Sequence, residues 1–396
     1  MTLLLIGHDA NRAGAQLVLL QLMRLLRGRG ITLHLLLGAG GPLLDDYRQT
    51  ADLVVIWPAP EPQIAGVLGD KVLGKLGLYQ TLASRRDAQH QADMRQQLRL
   101  EAVDLILVNT VTGGRWFDRL NVPEQLPVVT FVHEQEMAVA MYTQADELAR
   151  LLNRSDHVLA VSRATASYYQ TRHGVDPARM SIFTLIDLPA VQQRLTQARA
   201  MPDPMPELGI PAGAIVVGGC GNAEWRKGND LFINLARLVK SRLPHEVVHF
   251  VWVGMPPGSL RDDLSLDIDK AGLTDRVHLV APTPDVLRYL SRFAIFALCS
   301  REDPYPLVVI EAGLAGIPVV CFDRAGGAGE LVEADGGFVV PYLDLGAMSD
   351  RIAELATDPT LRRTLGQRLT QKINDRHDPN QSLSIFLNLL TELTHT

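Results

Sequence analysis

Cysteine is scarce in this 396-residue chain: there are three, Cys220, Cys299 and Cys321. They are far apart, odd in number and set in apolar stretches. That excludes a disulfide framework and a cysteine-ligated metal site, and leaves buried, reduced thiols as expected of a cytosolic protein. Long hydrophobic runs are also missing, with no window approaching the roughly 18 apolar residues of a membrane span. The N-terminus, MTLLLIGHDANRAG, carries only a short apolar run with no basic segment before it, so it reads as a first strand rather than a signal peptide. A basic excess is absent too. The formal net charge is −6, with 20 Lys+Arg against 19 Asp+Glu in residues 1–200 and 18 against 25 in the remainder. Neither half has the footprint of a nucleic-acid binder.

What is present is an ordinary globular composition, 47% hydrophobic and 21% charged, in a chain long enough for two cores. Leu3–Gly7, Ile31–Leu37, Asp52–Ile56, Leu105–Asn109, Val128–His133 and His157–Ser162 read as buried strands ending in polar or small residues. Ala15–Leu26 has helical spacing and closes on Gly28 and Gly30. Apolar strands alternating with helices predict a parallel sheet covered on both faces.

Residues 188–213, rich in proline around a polar stretch, read as a linker between domains 1–187 and 214–378. The second series predicts strands at Ala214–Gly219, Val247–Val253, Val277–Val280, Ala294–Leu298, Pro318–Phe322 and Gly337–Val340. Helices are expected at Leu231–Lys240, Pro284–Ser291, Leu307–Ala315 and Leu345–Ala356, with two more at the C-terminus. The last, within 379–396, is a candidate to pack back on the first domain. The fold class is therefore α/β, two doubly wound Rossmann-like domains facing across a cleft, with ligands at the carboxyl ends of the strands.

The strongest motif follows the strand Ala294–Leu298: Ser300-Arg301-Glu302-Asp303-Pro304-Tyr305-Pro306-Leu307, then Val308-Val309-Ile310-Glu311-Ala312-Gly313. Asp303 falls in the loop at the strand's carboxyl end and Glu311 about one and a half turns into the next helix. Two such carboxylates suit two parts of one ligand through charge-assisted bonds to hydroxyls. Taken alone, the pair reads equally as a helix cap and a solvated face. Glu311 in the apolar run VVIEAGLAGIPVV, where an unpaired carboxylate is costly, argues for a ligand.

Three further motifs occupy strand ends. Gly219 to Leu231 carries Asn222, Arg226 and Lys227 after the first strand of the second domain. Phe131-Val132-His133-Glu134 ends a strand of the first domain. Ala325-Gly326-Gly327-Ala328-Gly329-Glu330 follows another strand of the second. Ala13-Gly14-Ala15-Gln16 opens the first helix and is not the GxGxxG fingerprint of dinucleotide chemistry. Singly, each is also explained by a surface turn or a structural histidine.

The acidic pair, with seven residues between, resembles the donor signature of glycosyltransferase family 4, with Asp303 in place of the usual first Glu and Tyr305-Pro306 in place of aromatic–Gly. The resemblance implies the GT-B fold and transfer of a hexose-type sugar from a UDP- or GDP-sugar to a hydroxyl acceptor, a glycan or lipid-linked oligosaccharide, with retention of configuration. It implies that Asp303 contacts the donor sugar, Glu311 the ribose hydroxyls, and Lys227 and Arg226 the diphosphate. Asn222 stands where the family usually has arginine. His133 is implied beside the donor sugar. Gly14, Tyr305, Leu307, Gly326, Gly327 and Glu330 border the donor. Two cations on the diphosphate remove the need for a metal, so neither metal nor cofactor is expected. A nucleotide-sugar epimerase on the same fold and a non-catalytic sugar-nucleotide-binding partner in a polysaccharide assembly complex remain as alternatives.

Residues 63–100 interleave Lys71, Lys75, Arg85, Arg86, Arg95 and Arg99 with apolar side chains such as Val67, Leu73 and Met94. A basic amphipathic helix of this kind lies on membranes, which would place a cytoplasmic protein at the inner membrane face. Asp70, Asp87 and Asp93 fit an ordinary solvated helix face instead.

Overall fold

A computed structural model describes residues 1–57 and 79–395, with the backbone alone at 79–83. The chain divides into two compact units. The first comprises Met1–Ala160, Ala166–Leu185 and Asn380–Thr396, and the second Val161–Thr165 and Ile186–Pro379.

The first unit is built on seven parallel strands: β1 (Thr2–Gly7), β2 (Thr32–Leu37), β3 (Leu53–Ile56), β4 (Leu105–Asn109), β5 (Val128–Val132), β6 (His157–Ala160) and β7 (Met180–Ile182). Their order is β3-β2-β1-β4-β5-β6-β7, so the winding reverses between β1 and β4. Every residue of β4 and β5 is buried, as a sheet covered on both faces requires. The helix Gly14–Leu26 buries Leu19, Leu20, Leu22, Met23 and Leu26, and Gly28 at φ +79° turns the chain away from it. The C-terminal segment is grouped with this unit, and Phe386 packs on Phe183 with ring centroids 5.6 Å apart.

The second unit holds β8 (Ile215–Cys220), β9 (Val248–Val253), β10 (Val277–Val280), β11 (Ile295–Leu298), β12 (Val319–Phe322) and β13 (Gly337–Val340), all parallel, in the order β10-β9-β8-β11-β12-β13. Alternation along the strands divides its core between two faces. Val216, Val251, Phe296 and Val319 enter one cluster, and Val217, Phe250, Ala297 and Val320 the other. The winding reverses between β8 and β11, again leaving a crevice at the carboxyl ends of the strands.

The segment expected to be a linker is corrected in its first half. Leu188–Ala200 is a helix that buries Leu188, Val191, Leu195 and Ala198 in the core of the second unit. Proline misled because of its position. Pro189 lies in the first turn, where a missing N–H costs nothing, and Asp187 accepts the Ala190 amide at 3.0 Å as the N-cap. Burying each of those leucines contributes about 1.5–3 kcal/mol, which outweighs the polar outer face.

Of the basic segment, Ile64 to Leu78, with Lys71 and Lys75, lies outside the described residues. The helix Tyr79–Gln97 carries Arg85, Arg86 and Arg95, and Arg95 donates to the Asn121 carbonyl at 3.2 Å. Among the described residues no helix is long and apolar enough to cross a membrane.

Candidate functional site

In the second unit three loops leave the carboxyl ends of β8, β11 and β12, and backbone contacts lock them together. Gly228, at φ +70°, ends the β8 loop directly over β11; a Cβ there would lie 2.0 Å from the Cys299 carbonyl oxygen. Gly326, at φ +124°, does the same for the β12 loop, where a Cβ would lie 1.9 Å from the Asp303 carbonyl oxygen. The Asp303 amide donates to the Ala325 carbonyl at 2.6 Å, and the Gly327 amide donates back to the Asp303 and Pro304 carbonyls. Only glycine adopts such backbone while permitting this approach.

This frame brings together residues distant in sequence. Lys227 Nζ donates to Asp303 Oδ2 at 2.6 Å, and Arg226 Nη1 lies 3.9 Å from Asp303 Oδ1. Arg226 also donates to the Glu302 carbonyl at 3.0 Å. Asp303 is 5% exposed, so its charge requires these cations. Asn222 donates to Glu224 at 3.2 Å. Arg301, to which sequence reasoning assigned no role, grips Asp230 through both terminal nitrogens at 2.9 and 2.8 Å and stacks over Trp225 at 4.6 Å. A bidentate fork of this type fixes orientation, and here it ties the β11 loop to the helix after β8.

Farther along, Leu307 starts the helix Leu307–Leu314, and Glu311 on it meets Arg194 Nη2 at 3.3 Å. Burial pushes the Glu311 carboxyl up, and Arg194 pulls it down. Cys220, at the end of β8, feels both Glu311 and Lys227 and is pushed up to about 12, chiefly by burial. The lysine, the thiol and the carboxylate thus mark out one stretch of the crevice. Tyr305 is hydrogen-bonded through its hydroxyl to His377 Nε2. Glu330 is differently engaged: its two carboxylate oxygens accept the amides of Arg163 and Ala164 at 3.0 and 2.6 Å, so it caps a helix start. Arg194, missed at the sequence level, lay in the supposed linker and gave no signal.

The first unit gathers a second polar cluster around its own switch point. His133 follows β5 and bonds through Nε2 to Asn109 Oδ1 at 3.0 Å, while Asn109 Nδ2 donates to the Ala15 carbonyl at 3.2 Å. An amide whose nitrogen is committed to a carbonyl presents its oxygen to His133, so Nε2 carries the hydrogen. Burial lowers the His133 imidazole to about 3, keeping it neutral. Asn109 also links His133 to the Gly14 turn. A Cβ at Gly14 would find nothing within 4 Å, so the fold itself does not require glycine there. Gly14→Ala is expected to leave the melting temperature unchanged; any loss of ligand affinity, read by calorimetry, then reports close approach of a ligand. A lowered melting temperature would contradict this.

Among the described residues, no group of three or more His, Cys, Asp or Glu is arranged to hold a metal.

Comparison with known proteins matches each unit to its own description. Residues 12–184 match "Glycosyltransferase Family 4" and residues 202–372 match "Glycosyl transferases group 1". The chain is 28% identical over 235 residues to a lipopolysaccharide core biosynthesis mannosyltransferase of Rhizobium leguminosarum bv. viciae, covering 56% of this chain and 60% of that protein. It is 27% identical over 259 residues to a second such mannosyltransferase from Rhizobium meliloti, covering 61% and 69%. The alignment therefore spans about three fifths of the first relative's length. In fold it is similar to Anabaena Alr3699/HepE, whose crystal structure contains UDP-glucose, with a TM-score of 0.75 and 20% identity over 99% of this chain and 100% of that one. Two Rossmann-like domains of the GT-B type, each matching its half of the family description, place this chain in glycosyltransferase family 4.

Proposed function

We propose that the protein transfers a hexose-type sugar from a UDP- or GDP-sugar to a hydroxyl of a glycan or lipid-linked acceptor, with retention of configuration and without a metal. The observation that carries this is the Lys227–Asp303 pair at 2.6 Å, flanked by Arg226, at the mouth of the crevice between β8 and β11. Lys227 and Arg226 bind the donor diphosphate and stabilise its charge as it leaves, while Asp303, released to the sugar, accepts from a hydroxyl. Glu311 holds the ribose. The bond between the anomeric carbon and the diphosphate oxygen breaks. The acceptor oxygen bonds to that carbon on the same face, and its proton passes to the departing phosphate. The enzyme supplies placement and charge. The first unit is the acceptor-side domain, and its His133 is a residue that meets the donor sugar. The two relatives named as lipopolysaccharide core biosynthesis mannosyltransferases support the acceptor class, and the UDP-glucose complex of HepE supports a nucleotide-sugar donor.

The test is a thermal-shift and calorimetric screen with UDP, GDP, ADP and dTDP, with and without magnesium. One diphosphate is expected to stabilise the protein selectively and independently of magnesium. Binding by none of the four would overturn the donor site. Glu311→Gln is expected to raise the donor KM roughly 10-fold or more at little cost in kcat, the loss of one charge-assisted bond to a hydroxyl. An unchanged KM would remove Glu311 from the ribose site.

A further inference from the structure

Thr110 stands directly after β4, at the switch point of the first unit, with φ +79° and ψ +145°. No other β-branched residue described has positive φ, and this region of backbone space is nearly exclusive to glycine. Thr110 is fully buried, so the strain is not relieved by solvent.

The surroundings show what imposes it. The Thr110 amide continues the sheet by donating to the Phe131 carbonyl at 2.9 Å, and its carbonyl accepts from Gly113 at 3.1 Å. The next residue, Val111, donates its amide to Glu134 Oε2 at 3.3 Å, and the same oxygen accepts the His133 amide at 3.0 Å. One carboxylate oxygen therefore clamps the turn after β4 to the end of β5. The strained turn aims Thr110 Oγ1 at His8 Nδ1, 3.3 Å away, and at Thr112 Oγ1, 2.5 Å away. His8 Nε2 faces Gln16 Nε2 at 2.9 Å. An amide nitrogen only donates, so His8 accepts there and carries its hydrogen on Nδ1, toward Thr110.

We propose that Glu134 is a positioning residue: it holds the strained Thr110 turn and the His133 backbone so that the Thr110 hydroxyl fixes the His8 ring, and the His8 and His133 rings together orient the acceptor hydroxyl. The proposal rests on the transferase reading above.

The groups facing the Glu134 carboxylate are the amides of His133, Val111 and Glu134 itself and the Thr110 hydroxyl. His8, with Asp9 behind it, stands beyond Thr110, and no cation appears among the interactions that set the Glu134 charge. Burial pushes its carboxyl up to about 7, against the pull of those donors. Unfolded, the group ionises near its ordinary value of 4.5; folded, only near 7. Between those values the native state holds the extra proton, so stability falls as pH rises through that window. At pH 8, therefore, Glu134 contributes less to stability than it does near pH 5.

Four variants test this. Glu134→Gln keeps the shape and one acceptor oxygen without charge. Its melting temperature is expected to exceed wild type at pH 8, with the gap closing toward pH 5. The wild-type kcat/KM for acceptor is expected to rise between pH 6 and 8, and that of Glu134→Gln to stay flat. Glu134→Ala is expected to reduce that kcat/KM at least tenfold with nucleoside diphosphate affinity unchanged. Thr110→Gly, which relieves the strain and removes the hydroxyl, is expected to keep or raise the melting temperature while losing acceptor kcat/KM, with Thr110→Ser restoring most of the activity. Wild-type pH dependence in Glu134→Gln, or activity within twofold of wild type in Glu134→Ala, would overturn the proposal while leaving the transferase reading intact. A protein that binds no nucleoside diphosphate fails that reading instead. In that case the melting curves still test the clamp, and a Glu134→Gln variant no more stable than wild type at pH 8 would overturn it.

Discussion

Lys227→Ala is expected to lower transfer about 10²–10³-fold, the cost of removing one preorganised charge from a developing anion, and to weaken nucleoside diphosphate binding in parallel. The structure adds a second expectation. Lys227 supplies the shortest contact to Asp303, whose side chain is 8% exposed. Without the lysine, that carboxylate keeps only Arg226 at 3.9 Å and the Ser300 hydroxyl at 3.4 Å. A buried acceptor left under-satisfied costs about 1–3 kcal/mol, so a modest fall in melting temperature should accompany the loss of activity. Adding the Asp303→Asn change should recover stability without recovering transfer. Steady-state rates and melting curves of the two variants separate the roles. Transfer within a few-fold of wild type in Lys227→Ala would show that the diphosphate is held elsewhere.

Gly228→Ala is expected to have a large effect on the fold for a single methyl addition. The added Cβ would meet the Cys299 carbonyl oxygen at 2.0 Å, and the backbone is already at φ +70°. The neighbour is main chain at the end of β11 and cannot rotate away, so the β8 loop must lift. Overpacking and the left-handed penalty together amount to about 3 kcal/mol or more. For a unit of this size that lowers the melting temperature by roughly 6–12 °C. Lifting the loop also moves Lys227, so diphosphate binding should fall with it. A melting temperature matching wild type would mean that the loop reaches its position by another route. Set beside Gly14→Ala, the variant separates a glycine that the fold demands from one that it does not.

Much of this protein was legible in its amino-acid sequence because the signals are local. Apolar runs five or six residues long, each ending in a small or polar residue, specify parallel strands by the chemistry of burial alone. The strand-end motifs followed: Asp303, Lys227, Gly326 and His133 all emerge at carboxyl ends. Proline misled at 188–213 because its effect depends on whether it falls in the first turn of a helix, and that is decided by the apolar face that Leu188, Val191 and Leu195 find to bury. Composition could not reveal that face without the core it meets. Pairings were likewise beyond the sequence. Nothing in the spacing joins Lys227 to Asp303, Arg301 to Asp230, Arg194 to Glu311 or Glu134 to Val111, since each contact forms only when the order of strands in the sheet brings their loops together. Glu330 shows the converse, a motif residue whose carboxylate the tertiary structure commits to the amides of Arg163 and Ala164. The sequence by itself determined which strands and loops would form, because burial and backbone preference act over a few residues. Only the tertiary structure decided which charges meet and which backbone is strained, because those energies depend on neighbours that folding alone supplies.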